Sequence, residues 1–326
     1  MDPGNWLTSL AGGGQYGYTL LSVLFVSIIV AMIMQSLSIR LGVVTRTDLA
    51  QAIAQRVPKP VRIGLWLLNE LAMMATDLTG VVGTSIALYL LFHLPLIVGV
   101  FLTVADVLVV LVFFRFGIRR VEFIVLTTIL VVGAIFTIEV CRAHPSWLAI
   151  LNGIIPQSKI ITNHSELLLS LGIIGATIMH HNIYLHSALA QSRRYDEHDP
   201  AQVTETLKFA NWDSIIHLIA ALIVNALLLI LGGTLFFHTA SLNSLADVLY
   251  GLKNPQIVGT LSSPVMSWLF GFALLITGLI SSITSTLAGQ IVMEGYINIR
   301  LPLWKRRLLT RFVTLIPIVI IGCLIR

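Results

Sequence analysis

The chain has 326 residues, 56% hydrophobic and 11% charged, against roughly 25% charged in soluble globular proteins; this excludes a soluble domain. Its continuous apolar runs, about 20 residues each and long enough to cross ~30 Å of hydrocarbon, also exclude a β-barrel made of ~10-residue alternating strands. The net charge of +5 has no basic stripe or recognition motif behind it, so no nucleic-acid partner is expected.

The apolar pattern predicts spans near 18–36, 64–92, 95–114, 121–141, 166–190, 213–236, 264–298 and 308–325, after an N-terminal stub. Counted with the stub there are about nine. In hydrocarbon the backbone must satisfy its own hydrogen bonds within each segment, so the expected class is all-α integral membrane. Residues 1–17 lack the basic start and apolar centre of a cleavable signal peptide. Pro3 removes a donor and Gly4 loosens the backbone, so Asp2–Asn5 is expected at an interruption of a helix.

Residues 47–56 read as an amphipathic helix on the membrane surface, with Thr47 or Asp48 as N-cap and Pro58 and Pro60 ending it. The connection 193–212 is polar and partly helical, and 142–165 and 238–262 read as outer loops. Sixteen of the 20 Lys and Arg residues fall on connections predicted to share one side, among them Arg46, Arg193, Arg194, Arg306 and Arg307. Only Arg142, Lys159, Lys253 and Arg326 fall on the other. The positive-inside rule makes the basic side cytoplasmic and the chain a multi-pass protein of the cell (inner) membrane. Cys141 and Cys323, each at a span end, are too few for a disulfide framework or a thiolate cluster.

Ionisable groups inside hydrocarbon are costly and therefore functional candidates; here they are Asp2, Glu70, Asp77, Asp106, Glu139, His180, His181, His186 and Glu294. Glu70 and Asp77 lie seven residues apart, on one helix face. Such a carboxylate row suits a proton relay, and the competing reading is structural pairing with an Arg or a hydroxyl. Asp106 and Glu139 have no such companions. The segment Gly175–His186 holds three histidines, Asn182 and Met179 in a membrane span. Imidazole and thioether select transition metals over Mg²⁺ and Ca²⁺. No His-Glu-x-x-His is present, which argues against a zinc hydrolase.

Four stretches together carry a family resemblance. Asp2-Pro3-Gly4-Asn5-Trp6 resembles the first-helix DPGN motif of the NRAMP family of divalent-metal transporters, and Ala176-Thr177-Ile178-Met179-His180-His181 resembles its sixth-helix A-x-x-M-P-H motif. Glu70–Leu78 is similar to the third-helix acidic motif, and Ser281–Gly295 to the eighth-helix signature. The chain is identified as similar to the family's bacterial proton-dependent manganese transporters. The resemblance implies a LeuT-like inverted-repeat bundle with helices one and six unwound at mid-membrane, where exposed carbonyls can meet a cation. It implies Asp2, Asn5, the Ala176 carbonyl and Met179 as metal ligands. Asp2, Glu70, Asp77, His181 and His186 would carry protons, with Arg306 and Arg307 near the inner end of that route.

The chain departs from the family pattern in three ways. His180 replaces the motif's proline, so the helix break is expected to rely on Gly175 and packing. Gly80 replaces a second glutamate one turn after Asp77. The full pattern also has a first half-helix before Asp2 and helices ten and eleven after Arg326, so residues 1–326 are expected to be one polytopic domain truncated at both ends, with Met1 a mis-assigned internal start.

The implied function is import of Mn²⁺ or Fe²⁺ by H⁺ symport and alternating access, with no covalent chemistry and no resident cofactor. The implied partners are divalent metal ions, protons and membrane lipid; the sequence carries no signal for oligomeric state. The alternatives are a non-transporting remnant or a related Mg²⁺ transporter, with a membrane metalloenzyme or haem protein more distant.

Overall fold

The computed structural model describes residues 2–105, 118–237 and 264–324. Asp106, the end of the 95–114 span and the 238–262 loop lie outside the described residues. Within them the structure is helical, with no strand. The elements are α1 (Pro3–Tyr16), α2 (Leu21–Thr45), α3 (Leu49–Arg56), α4 (Lys59–Phe92), α5 (Leu96–Leu102), α6 (Ile118–Ala143), α7 (Trp147–Gly153), α8 (Lys159–Thr162), α9 (His164–Thr177), α10 (His180–Gln191), α11 (Pro200–Leu235), α12 (Pro264–Ile297) and α13 (Leu303–Leu324).

Five segments are long and apolar enough to cross a membrane: α2, α4, α9 with α10, α11, and Trp268–Ile297 of α12. α6 and α13, at 26 and 22 residues, have the length as well. α4 and α11 start earlier than the apolar pattern suggests. Both begin at a proline in the first turn, where no intrahelical donor is needed. Much of the polar connection 193–212 is therefore the first turns of α11, and 142–165 carries the short helices α7 and α8. The amphipathic segment forms α3 with Asp48 as its N-cap: Asp48 accepts from the Gln51 N–H, and Gln51 reaches back to the Asp48 N–H, a full capping box.

Contacts at the helix ends support the alternating topology. At one end the C-termini of α2 and α10 meet through Arg46, whose guanidinium donates to the carbonyls of Gln191, Arg193 and Tyr195. The C-terminus of α12 joins them, with Gly295 against Ala50 of α3. These are the ends where the basic residues collect. At the other end Gly17, after α1, lies against Phe237, after α11, and the Tyr18 hydroxyl bonds Thr234 at 2.9 Å.

α1 runs through the largest apolar cluster. Trp6, with no exposed surface, meets Phe136 and Phe270 edge-to-face at 5.0 and 5.1 Å, the arrangement the ring quadrupoles prefer. Gly13 lets α1 approach α11 until a Cβ there would lie 2.0 Å from the Leu229 carbonyl. Lipid offers helices no hydrophobic drive to associate, so such small-residue contacts carry much of the packing.

Candidate functional site

Asp2 is the N-cap of α1, its carboxylate accepting from the Asn5 N–H at 2.8 Å, and Pro3 opens the helix. The first-turn N–H groups of α1 thus face the Asp2 carboxylate.

The apolar span 166–190 is broken into α9 and α10. The two residues of the break are Ile178 (φ −90°, ψ 69°) and Met179 (φ −68°, ψ 110°). Gly175 does not make it: that residue lies inside α9, with nothing within 4 Å of where a Cβ would stand. His180 occupies the first helical position of α10. A proline there is favoured because its φ is preset and its missing N–H is not needed; histidine forgoes the preset φ and keeps the break. The Ile178 N–H bonds the Ile174 carbonyl, and among the described residues the carbonyls of Gly175, Ala176 and Thr177 receive no backbone N–H.

α1 and α9 pack antiparallel. A Cβ on Gly172 would touch Thr8 at 3.4 Å, and one on Gly12, four residues on, would lie 3.9 Å from Leu169, three residues back. That register, continued at 1.5 Å per residue, brings Asp2 and Asn5 level with Ala176–Met179. Asp2, Asn5 and Met179 are buried, at 6%, 3% and 9% exposure. By that register a carboxylate, an amide, backbone carbonyls and a thioether fall at one level along the α1–α9 pair. The Met179 sulfur accepts from the Asn182 amide at 3.3 Å.

A cavity of about 830 Å³ leads from Met179, His181, Asn182 and His186 past Asp213 and His217 to Arg193, Arg194 and Glu205 at the basic end. His181 is 3% exposed, and its Nδ1 has no hydrogen-bond partner. Asp2 and Asn5 are not among the residues lining this cavity. Sequence reasoning misses Asp213 and His217. Their spacing, four residues apart on α11, is the one available signal, and the surrounding polar connection hides it.

The expected carboxylate row is real, and each member is held by an arginine. Glu70 receives two bonds from Arg306, at 2.8 and 3.0 Å, and Asp77 two from Arg307, at 2.6 and 2.7 Å. Ser285 also donates to Asp77 at 3.3 Å, and Arg307 to Ser282. The structural pairing that competes with a relay is therefore present for both carboxylates. Arg306 faces Glu70 and Arg307 faces Asp77 across the α4–α13 contact. Glu139, on α6, is 3% exposed and has no hydrogen-bond partner for either oxygen.

The Gly289 contact shows how tightly the first pair is set: a Cβ there would stand 2.2 Å from Arg306 Nη2. Gly289→Ala should push Arg306 off Glu70 and cost about 3 kcal/mol or more, the range for stranding a buried charge. Gly80, with open space around it, should by contrast gain about 0.5–1 kcal/mol on change to Ala, from helix propensity. Thermal unfolding of the two variants in detergent checks both signs.

Among the described residues no three His, Cys, Asp or Glu side chains group as a resident metal centre.

The family model described as natural resistance-associated macrophage protein-like (Nramp) matches residues 1–325. The chain belongs to the Nramp family. Its relatives include the divalent metal cation transporter MntH of Levilactobacillus brevis, 49% identical over 98% of this chain and 70% of that protein. MntH of Staphylococcus aureus is 49% identical over 100% of this chain and 72% of its own length. Crystal structures of variants of the Eremococcus coleocola manganese transporter superpose with a TM-score of 0.91 at 43% identity, covering 99% of this chain and 68% of that one. The Nramp chain is thus an all-α membrane protein with that transporter's LeuT-like fold.

Proposed function

We propose that this Nramp chain imports divalent transition-metal ions, Mn²⁺ or Fe²⁺, together with H⁺ by alternating access. The observation that carries the proposal is the shared depth of the α1 start and the α9–α10 break. Relatives named as divalent metal cation transporters and a similar manganese transporter support the cargo.

Asp2, Asn5, the Ala176 carbonyl and Met179 bind the ion as substrate. Asp2 supplies the charge, the neutral oxygens complete a partly dehydrated shell, and the sulfur favours a transition metal. Protons use Asp2, then His181 and His186 along the cavity, and Glu70 and Asp77 across α4. Both oxygens of each carboxylate engage a guanidinium, so Arg306 or Arg307 must withdraw before a proton can take that place. Proton uptake there is thereby tied to movement of α13 against α4. The cell membrane, with its proton gradient, is the expected location.

The test is Mn²⁺ uptake by vesicles holding the 326-residue chain under an inward proton gradient. Wild type should accumulate Mn²⁺ and acidify its lumen, and Asp2→Ala should abolish both. Equal uptake by wild type and by the Asp2→Ala, Met179→Ala double variant would sink the proposal.

A further inference from the structure

α10 has two unlike faces. His181, Asn182, Leu185, His186 and Leu189 line the cavity. Away from the cavity, Tyr184 and Ser187 are tied to other helices. The Tyr184 hydroxyl lies 2.8 Å from that of Tyr296 on α12, the rings 6.0 Å apart and inclined at 65°. The Asn69 amide of α4 donates to the Tyr184 hydroxyl at 3.4 Å. Tyr184 and Tyr296 are 8% and 1% exposed, in an apolar cluster with Ala50, Met73 and Val292. Ser187 accepts from the Leu49 N–H of α3 at 3.0 Å and donates to the Tyr184 carbonyl at 2.7 Å.

In this apolar cluster the Tyr296 hydroxyl depends on the Tyr184 hydroxyl, and Tyr184 without Tyr296 would keep only the long bond from Asn69. Their bond joins α10, which starts at a break, to α12, and the Asn69 bond joins it to α4 one residue before Glu70. Arg46 meanwhile fastens the far end of α10 to α2. Ile178 and Met179, whose backbone angles leave the helical region between α9 and α10, are the hinge about which α10 can turn.

We propose that the Tyr184–Tyr296 hydroxyl pair is a positioning latch, holding α10 against α12 and α4 in the arrangement that leaves the cavity open at the basic end. The inference deepens the transport reading and rests on it for its purpose, since a turn of α10 carries Met179, His181 and His186 with it. Movement at the metal site then strains a bond next to the Glu70–Arg306 pair. This gives the two clusters a mechanical connection that their own side chains do not make.

The test uses a full-length chain with Cys141→Ser and Cys323→Ser, and Leu189→Cys as a reporter in the cavity wall. Maleimide labelling from the basic side reads how often the cavity is open. Tyr296→Phe and Tyr184→Phe should each slow labelling about two- to tenfold, the range for one lost hydrogen bond. The double variant should be no slower than Tyr184→Phe alone, because that change already removes the bond that Tyr296→Phe removes, along with the one from Asn69. In vesicles, Tyr296→Phe should lower the maximal rate of Mn²⁺ uptake per folded chain, counted from the monodisperse protein recovered in detergent, and leave KM within about twofold; loss of general stability would lower the recovered amount and not the rate per folded chain. Unchanged labelling in Tyr296→Phe, or additive effects in the double variant, would overturn the latch. If Tyr184→Phe fails to fold, labelling of Tyr296→Phe decides alone. Absence of Mn²⁺ uptake by the wild-type chain would count against the transport reading, and the labelling result would still settle the latch.

Discussion

Arg307→Met is expected to destabilise the protein by about 3–5 kcal/mol, the cost of removing one partner from a buried ion pair. Arg307 is 1% exposed and Asp77 6%, and the guanidinium reaches both carboxylate oxygens at 2.6 and 2.7 Å. Without it Asp77 keeps a 3.3 Å bond from Ser285, too little to replace water around a full charge. A companion variant separates pairing from function. Asp77→Leu with Arg307→Met removes both charges, and such replacements are often neutral or stabilising, so thermal stability should return to within about 1 kcal/mol of wild type. If Asp77 and Arg307 form part of the proton route, this stable double variant should still fail to couple Mn²⁺ uptake to lumen acidification. A loss below about 1 kcal/mol in Arg307→Met would show that the pair is not held in a dry environment. Full coupling in the double variant would confine the pair to packing.

Several of these features are legible in the amino-acid sequence alone, for definable reasons. A proline behind a carboxylate is a poor helix interior and a good first turn, and Asp2 and Pro3 stand as the N-cap and first residue of α1; the seven-residue spacing of Glu70 and Asp77 fixes their common face. The partners of those carboxylates are harder to read. Arg306 and Arg307 stand some 230 positions away in sequence, and only the α4–α13 packing makes them neighbours. Sequence reasoning places the break in the right motif and at the wrong residue. Gly175 looks like the weak point because glycine loosens a helix, yet the chain leaves the helix at two β-branched or long side chains, Ile178 and Met179. The Arg46 clamp and the Tyr184–Tyr296 bond carry no local pattern at all. A lone arginine at a helix end and a tyrosine in an apolar run are common, and what sets these apart is the element lying across from each.

Met179→Ala is expected to keep part of the Mn²⁺ uptake and to lose discrimination against Ca²⁺. Asp2, Asn5 and the Ala176 carbonyl are oxygen donors, which suit Mg²⁺ and Ca²⁺ as well as Mn²⁺; in the proposed set the sulfur is the one donor a hard cation gains little from. It is also pre-held, by the Asn182 amide at 3.3 Å, at the residue where helical hydrogen bonding stops. Alanine would leave room for a water in its place, and water is the ligand Ca²⁺ already has. The preference for Mn²⁺ should therefore fall by about tenfold, ~1.4 kcal/mol. In competition assays excess Ca²⁺ should then inhibit Mn²⁺ uptake by the variant at concentrations that leave wild type unaffected. Met179→Cys, which restores a sulfur on a shorter arm, should recover part of the difference. If Met179→Ala transports Mn²⁺ and resists Ca²⁺ as wild type does, selectivity does not come from the thioether. It would then have to arise from the size of the gap between the α1 start and the α9 end.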